Sequence, residues 1–441
     1  MNLYRRLLVL FTVFMVSGVG VLSGFASEAK AEGDALGINA EAAILVDANT
    51  GRILYEKNSD VVLGVASMSK MMTEYLVLEA IEKGKIKWDQ KVKINEYVHK
   101  LSAAPGLSNI GLTQGEDYTV KELYQGMAIF SSNASSVALA EVVSGTEKNF
   151  VELMNKKARE LGLEDYKFVN STGLNNSELL GQIAAGGPNE ENVMSAKATA
   201  KLAYRLINDY PEVLETASTP KLKFKDGREY PNFNWMLPTL TFAYEGVDGL
   251  KTGSTDFAGY CFTSTAKKGD QRFITVVMKA DSKISRFSET RKILDYAFSG
   301  FSNEVLVKKN NQEKGKKTLP VVKGKEDSVK IRTDKDLSLT IKNGEKDQYK
   351  TKLVIDKKKL NDKGELTAPV KKGEKVGYMT VENKNGEEIS FLNDKGQKAS
   401  VDVVAVEGVE KANWFVLSMR GIGGFFSDLF SSAASGIKGL F

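Results

Sequence analysis

Apolar and polar residues change rhythm several times along the chain, and each change marks a segment. Leu7 to Phe25 is a nearly unbroken apolar run behind Arg5 and Arg6, followed by Ala29-Lys30-Ala31. A basic end, an apolar stretch and a small-x-small site are the features of a secretory leader. Residues 1–31 are therefore expected to be a signal peptide removed before Glu32; an uncleaved membrane anchor is the alternative reading of the same run. Ala42 to Asp47 and Arg52 to Glu56 flank Ala48-Asn49-Thr50-Gly51, the pattern of a hairpin. Met71, Met72, Tyr75, Leu76, Leu78 and Ile81 then keep helical spacing until Gly84. Residues 85–118 are mixed and rich in turn formers. Thr119-Val120-Lys121-Glu122 is a capping box that opens a helix through Leu123, Met127 and Ile129. Ser131-Ser132-Asn133 interrupts the pattern, and further helices are expected over Val137 to Val143, Glu147 to Leu161 and Ser195 to Asn208.

After Gly249 the period shortens. Tyr260 to Ala266 and Arg272 to Ala280 read as strands joined at Lys268-Gly269-Asp270, and residues 283–298 as a helix with Phe287, Leu294 and Ala297 on one face. With strands at both ends and helices between, the simplest closure is an α+β fold: one antiparallel sheet with a large helical insertion, spanning residues 32–302. Residues 303–410 carry short β-branched runs at 327–332, 337–341, 349–355, 376–381 and 400–406. Turns such as Asn343-Gly344, Lys363-Gly364, Asn385-Gly386 and Lys395-Gly396 separate them, which predicts a small all-β sandwich. In residues 411–441 the apolar positions Phe415, Met419, Ile422, Phe426, Leu429, Ala433, Ile437 and Leu440 follow steps of four and three. That is one stripe on an amphipathic helix. It is too interrupted to span a bilayer and suits a helix lying in the membrane interface; a core or oligomer-forming helix is the alternative.

Composition narrows the chemistry. The chain holds one cysteine, Cys261, and one histidine, His99. No internal disulfide and no usual Cys/His zinc site can be built from them. A Ser-His-Asp triad would have to use His99, which sits in a polar stretch and is expected at the surface. Cys261 is expected to be a packed core residue. The net charge of +5 over 441 residues is small and gives no ground for nucleic-acid binding. The lysines of residues 303–410 are expected to form a solvated surface; a basic face toward an anionic wall or membrane is the other reading.

A serine enzyme with this composition needs a lysine base. Ser67-Met68-Ser69-Lys70 puts a serine and a lysine three positions apart where a helix begins, so both can point into one site. A serine hydroxyl becomes a good nucleophile only when a base takes its proton. A lysine can be that base when burial or nearby cations lower its pKa. Two more motifs follow: Ser131-Ser132-Asn133 at a break between helices, and Lys251-Thr252-Gly253 leading into a strand. Each is weak alone, and the set in this order resembles the penicillin-recognising serine enzymes. Within them it is most similar to the D-alanyl-D-alanine carboxypeptidases of the penicillin-binding protein 5 type. The resemblance covers roughly residues 35–300. It also includes the Asp47-x-x-x-Gly51-x-x-Leu54-Tyr55 hairpin, Gly115 to Leu123, Phe168 to Leu174 with Ser171-Thr172-Gly173-Leu174, Asn232 to Leu237, and Gly249 to Thr255. The β domain and tail look like that family's C-terminal architecture.

The resemblance implies a β-lactamase/transpeptidase-like fold and a set of roles. Ser67 would attack the penultimate D-Ala carbonyl and form an acyl-enzyme. Lys70 would accept its proton, kept neutral with the help of Lys251. Ser131 would relay a proton to the leaving D-Ala, and Asn133 would hold the substrate amide. Lys251 and Thr252 would bind the terminal carboxylate. Gly253 would let the strand lie close to the substrate, and the N–H groups of Ser67 and Ser254 would form the oxyanion hole. Partners would be peptidoglycan pentapeptide stems, β-lactams as covalent inhibitors, and the outer face of the cell membrane; no cofactor, metal or nucleic acid is implied. Two positions depart from the family pattern: Ala198, where an acidic residue is common, and Ser254, where some relatives have histidine. A β-lactamase of the same fold is the nearest rival, but no Glu-x-x-Leu-Asn occurs between Asn133 and Lys251. An inactive wall-binding scaffold and an endopeptidase or transpeptidase are the others.

Overall fold

The computed structural model describes residues 34–392, 399–415 and 417–419. The leader run, the Lys395-Gly396 turn and the tail stripe beyond Met419 lie outside the described residues. Residues up to Gly37 are a unit of their own, described only as one turn in which the Gly37 N–H donates to the Asp34 carbonyl at 3.1 Å. Every element below belongs to the unit that starts at Ile38.

The expected hairpin is present as β1 (Ala40–Asp47) and β2 (Ile53–Lys57). The chain then inserts α1 (Lys70–Glu82), α2 (Glu96–Ser102), α3 (Val120–Phe130), α4 (Asn133–Ser144), α5 (Glu147–Glu160), α6 (Ala196–Asp209) and α7 (Val213–Ala217). It returns as β3 (Val247–Thr255), β4 (Gly259–Lys268), β5 (Gln271–Ala280) and α8 (Ser285–Gly300). Strand β5 pairs antiparallel with β1, from Ala40 opposite Ala280 to Asp47 opposite Phe273, so the sheet order is β3-β4-β5-β1-β2. Strands from the two ends of the segment thus close one sheet around the helical insertion.

That sheet is covered on both faces, which explains why its inner strands read as continuous rather than alternating apolar runs. On β5, Ile274, Val276 and Met278 join the core shared with the helices. Phe273, one step out of phase, meets Phe298 of α8 edge-on at 4.9 Å, and Phe262 of β4 meets Phe287 of the same helix at 5.2 Å. Helix α1 is buried around its whole circumference from Lys70 to Leu78. A helix enclosed in this way must find internal partners for each polar side chain it carries. Three such residues, Lys70, Thr73 and Glu74, all do.

The capping box at Thr119 is formed, with Thr119 accepting from Glu122 N–H and Glu122 accepting from Thr119 N–H at 2.7 Å. Residues 85–118 are more ordered than their composition suggests. They hold α2 and a ribbon of strands 91–93 and 117–119. His99, expected at the surface, lies half-exposed on α2, with Nδ1 2.7 Å from the Leu112 carbonyl.

From Phe301 the chain is all β. The strands are β6 (Phe301–Val307), β7 (Thr318–Val322), β8 (Ser328–Thr333), β9 (Leu337–Lys342), β10 (Tyr349–Ile355), β11 (Leu366–Thr367), β12 (Lys375–Asn383) and β13 (Ser400–Ala405). They form a sandwich of a β6-β9 pair and a six-stranded sheet in the order β10-β12-β13-β8-β7-β11. Its core is separate from the first and contains Val329, Ile331, Leu339, Ile341, Val376, Met379, Val401 and Val403.

The hairpin turn ties the two parts together. Asp47 accepts from Thr340 Oγ1 of β9 at 2.7 Å and from Thr50 Oγ1 at 2.9 Å. Arg52 donates to the Thr340 carbonyl and, at 2.9 Å, to the Tyr349 hydroxyl. Ile53 N–H donates to the Ser390 carbonyl and Leu392 N–H to the Gly51 carbonyl, both at 2.9 Å. The outer edge of the hairpin is therefore paired with the β domain, which removes a free strand edge.

Candidate active site

Val65 ends the approach to α1 and a 3₁₀ turn, Ala66–Ser69, carries Ser67. The α-helix itself begins at Lys70, one turn later than the sequence pattern suggests. In a 3₁₀ turn residues i and i+3 eclipse, and Lys70 Nζ is 3.0 Å from Ser67 Oγ. Ser67 is half-exposed, whereas Lys70 is fully buried.

Two acceptors hold the amine from behind. Lys70 Nζ is 2.7 Å from Asn133 Oδ1 and 2.6 Å from the Thr172 carbonyl. The orientation of the Asn133 amide follows from its other end, where Nδ2 donates to the Ser108 carbonyl at 3.0 Å. Asn133 opens α4, behind the Ser132 cap, which accepts from Ser135 N–H. The Thr172 carbonyl is fixed by a turn in which Asn170 Oδ1 accepts from Thr172 N–H at 3.1 Å, Thr172 Oγ1 at 2.9 Å and Gly173 N–H at 2.7 Å. Glu147 at the start of α5 steadies the same turn, accepting from the Ser171 N–H at 2.9 Å and its hydroxyl at 2.6 Å.

Burial holds the Lys70 amine well below the usual lysine range, the positive charge of Lys251 lowers it further, and Glu74 opposes both. A neutral amine has two N–H bonds and one lone pair. Asn133 Oδ1 and the Thr172 carbonyl can only accept, so they take the two hydrogens, and the lone pair is left for the Ser67 hydroxyl. The geometry can therefore deprotonate Ser67.

Ser131 ends α3 in the left-handed region, with φ 60° and ψ 29°. Among the described residues its buried Oγ has no hydrogen-bond partner. A buried polar atom left in that state needs an explanation. Ser131 lines a cleft with Ser67, Ser108, Thr252, Ser254 and Arg286.

Lys251, Thr252 and Gly253 lie within β3 rather than ahead of it, and Lys251 is only 3% exposed. Gly253 also meets a close neighbour within the chain. A Cβ there would stand 2.5 Å from the Val65 carbonyl oxygen and 3.1 Å from the Ser67 amide nitrogen. The glycine lets β3 lie against the turn that carries Ser67, and the exposed Ser254 follows directly. Cys261 on β4 is fully buried and its thiol is pushed up to about 11 by burial, which makes it an inert core group.

Three further groups that the sequence reading did not single out lie at or beside the site. The Thr172 carbonyl is a backbone atom and has no side-chain signature. Arg286 on α8 is 4% exposed, lines the cleft beside Thr252, and has no carboxylate partner among the described residues. It donates to the Gly253 carbonyl at 3.3 Å and lies 4.8 Å over the Phe287 ring. Burial lowers its pKa to about 10, so it remains a cation at neutral pH. Glu74, one turn beyond Lys70, is a buried carboxylate.

A family model described as D-alanyl-D-alanine carboxypeptidase matches residues 27–282. A second, the penicillin-binding protein 5 C-terminal domain, matches residues 301–411. The D-alanyl-D-alanine carboxypeptidase DacF of Bacillus subtilis (strain 168) is 36% identical over 403 residues, 91% of this chain and 94% of the relative. Among solved structures, a peptidoglycan synthesis regulatory factor (PBP3) from Streptococcus pneumoniae superposes with a TM-score of 0.71 at 36% identity. That match covers 85% of this chain and 100% of the other. Penicillin-binding protein D2 from Listeria monocytogenes in the ampicillin-bound form gives a TM-score of 0.52 at 33% identity, covering 60% of this chain and 99% of the other.

Proposed function

Because the chain belongs to the D-alanyl-D-alanine carboxypeptidase family and is a serine peptidase of that kind, we propose that Ser67 is its nucleophile and Lys70 its base. The observation that carries this reading is the three-way coordination of Lys70 Nζ, which spends both N–H bonds on Asn133 and Thr172 and turns its lone pair to Ser67. Lys70 takes the Ser67 proton as Oγ bonds to the carbonyl carbon of the penultimate D-Ala. The negative oxygen forms between the N–H groups of Ser67 and Ser254, which Gly253 brings together. The C–N bond then breaks and the proton reaches the leaving amine through Ser131. Water hydrolyses the resulting ester. Asn133 orients Lys70 through Oδ1, and its second N–H serves the substrate amide.

The terminal carboxylate of the substrate is held by Thr252 and by two cations, Lys251 and Arg286. Arg286 joins them because a buried guanidinium without a carboxylate partner lines the same cleft as Thr252. Arg286→Ala is expected to raise KM for a peptide ending in D-Ala-D-Ala by about 10- to 100-fold, the worth of one charged hydrogen bond. The kcat should change far less, and a peptide with an amidated C-terminus should be processed equally by both forms. Steady-state kinetics on the two peptides check this.

The substrates are peptidoglycan stem peptides, and β-lactams acylate the same serine. The enzyme works on the outer face of the cytoplasmic membrane, held there by the C-terminal stripe. Support for that placement comes from the first turn of the tail, where Trp414, Phe415 and Met419 are exposed at 77%, 58% and 55%. Among the described residues no helix is long and apolar enough to cross a membrane. To test the central assignment, the protein is labelled with a penicillin, digested, and the adduct located by mass spectrometry, with D-Ala release from a pentapeptide measured in parallel. Acyl mass on the peptide containing Ser67 is expected; acylation elsewhere, or fast penicillin turnover without D-Ala release, sinks the reading.

A further inference from the structure

The mechanism leaves one buried ionisable group of the site without a task. Glu74 is 4% exposed and accepts a hydrogen bond from the Tyr124 hydroxyl of α3 at 3.2 Å. It lies on α1 one helical turn beyond Lys70, on the same face. Burial pushes its carboxyl up to about 7, against the opposing pull of Lys251 from β3, the Tyr124 hydroxyl of α3 and Lys70 from its own helix, with Lys251 the strongest of the three. Behind them, Glu212 acts on Tyr124 and Arg286 on Lys251. Lys70, Lys251 and Tyr124 are themselves buried, at 0%, 3% and 2% exposure.

A count of charges shows what the carboxylate does. The reaction needs Lys70 neutral, to act as a base, and Lys251 cationic, to meet a carboxylate. Glu74 ionised beside that pair, as it is above about pH 7, gives a buried cluster of zero net charge. Without it, Lys251 would be a buried cation with a long hydrogen bond to the Thr252 carbonyl, at 3.4 Å, and with Arg286 adding repulsion. Burying an ammonium without a counter-ion costs several kcal/mol, and a lysine in that position gives up its proton instead.

We propose that Glu74 is a positioning residue of the reaction: the buried counter-ion, held by Tyr124, that keeps Lys251 protonated while Lys70 serves as the neutral base. It touches no substrate and acts only through the two lysines. Its negative charge raises the proton affinity of both, so its loss lowers both pKa values. The acid limb of the pH profile, where Lys70 must lose its proton, moves to lower pH to the extent that Glu74 is ionised there. The alkaline limb, where Lys251 must keep its proton, moves the same way.

The inference rests on the Ser67 and Lys70 assignments. Its test is the pH dependence of kcat/KM for D-Ala release and of acylation by a labelled penicillin, in the wild type, Glu74→Gln, Glu74→Asp, Tyr124→Phe and Ser67→Ala. Glu74→Gln is expected to displace the alkaline limb downward by about one pH unit, and the acid limb by less, since Glu74 loses its own charge below about pH 7. At the wild-type alkaline limb it should raise KM about tenfold. Glu74→Asp, which keeps the charge, should restore most of the profile. Tyr124→Phe weakens the hold on the ionised form and should produce a smaller shift in the same direction. A profile unmoved in Glu74→Gln, or moved equally in Glu74→Asp, makes Glu74 a packing residue and overturns the proposal. Should Glu74→Gln fail to fold, an unmoved profile in Tyr124→Phe has the same force. Retention of the penicillin adduct by Ser67→Ala would instead bring down the nucleophile assignment, and this inference with it.

Discussion

Ser67→Ala will lower kcat/KM for D-Ala release by at least about 10⁴-fold, Lys70→Ala will cost nearly as much, and the double variant will be no worse than either. The equality follows from the geometry. Lys70 Nζ sits 3.0 Å from Ser67 Oγ and both of its other contacts are acceptors, so amine and hydroxyl form one functional unit. Without the amine, the hydroxyl keeps its proton and is a weak nucleophile. No other base replaces it, because the single histidine is on α2 with Nδ1 committed to the Leu112 carbonyl. Without the hydroxyl, the amine has nothing to activate. The residual rate in all three variants comes from binding and oxyanion stabilisation, which neither change touches. Single-turnover acylation by a labelled penicillin and D-Ala release measure the effect. Thermal midpoints must accompany them, since Lys70→Ala leaves the Thr172 carbonyl and Asn133 Oδ1 without their donor. If the double variant loses the sum of the two single losses, the pair does not act as a unit.

The parts of this arrangement that the sequence made legible are those carried by side chains in local patterns. The β1–β2 hairpin, the capping box at Thr119 and the strands β4 and β5 could be read because turn residues and apolar runs bracket them. The three motifs could be read because each carries its chemistry at a fixed spacing. What stayed hidden depends on tertiary packing. Helix α1 is enclosed on every side, so Glu74, Glu79 and Glu82 look alike in sequence. Yet Glu74 is buried against Tyr124, while Glu79 meets Lys83 and Lys157 at 2.7 and 2.8 Å. Arg286 shares its helix with Arg291 and Lys292, and only burial beside the cleft sets it apart. In the β domain, β6 and β7 escaped notice because a lysine-rich stretch separates them and Pro320 interrupts the second. Their place is given by pairing, β6 with β9 and β7 with β8 and β11. The role of Gly253 was legible as a need for close approach, and packing adds the Ser67 turn as a neighbour that motif spacing does not show.

Gly173→Val will destabilise the protein by about 3 kcal/mol or more and, in the fraction that folds, slow acylation of Ser67 by roughly 10²-fold. Gly173 has φ +83°, and a Cβ built on it would stand 1.9 Å from the Ala66 carbonyl oxygen and 2.9 Å from Ser69 Oγ. Both neighbours belong to the 3₁₀ turn that carries Ser67, and the first is backbone that cannot swing aside. Either that turn or the Asn170–Leu174 loop has to retreat. The Thr172 carbonyl belongs to the loop, so retreat draws it away from Lys70 Nζ, and the amine then has a hydrogen free to point at Ser67 in place of its lone pair. Two effects are mixed in such a variant, backbone strain and collision, and Gly181 separates them. It has the same φ of +83° with nothing within 4 Å of its Cβ position. Gly181→Ala should therefore cost only the left-handed penalty of about 1–2 kcal/mol and leave acylation at the wild-type rate. Gly173→Ala should lose more stability than Gly181→Ala, and only the former should lose acylation. Equal losses of stability from the two alanines, read as shifts in thermal midpoint, would mean that the loop yields freely and does not hold the base in place.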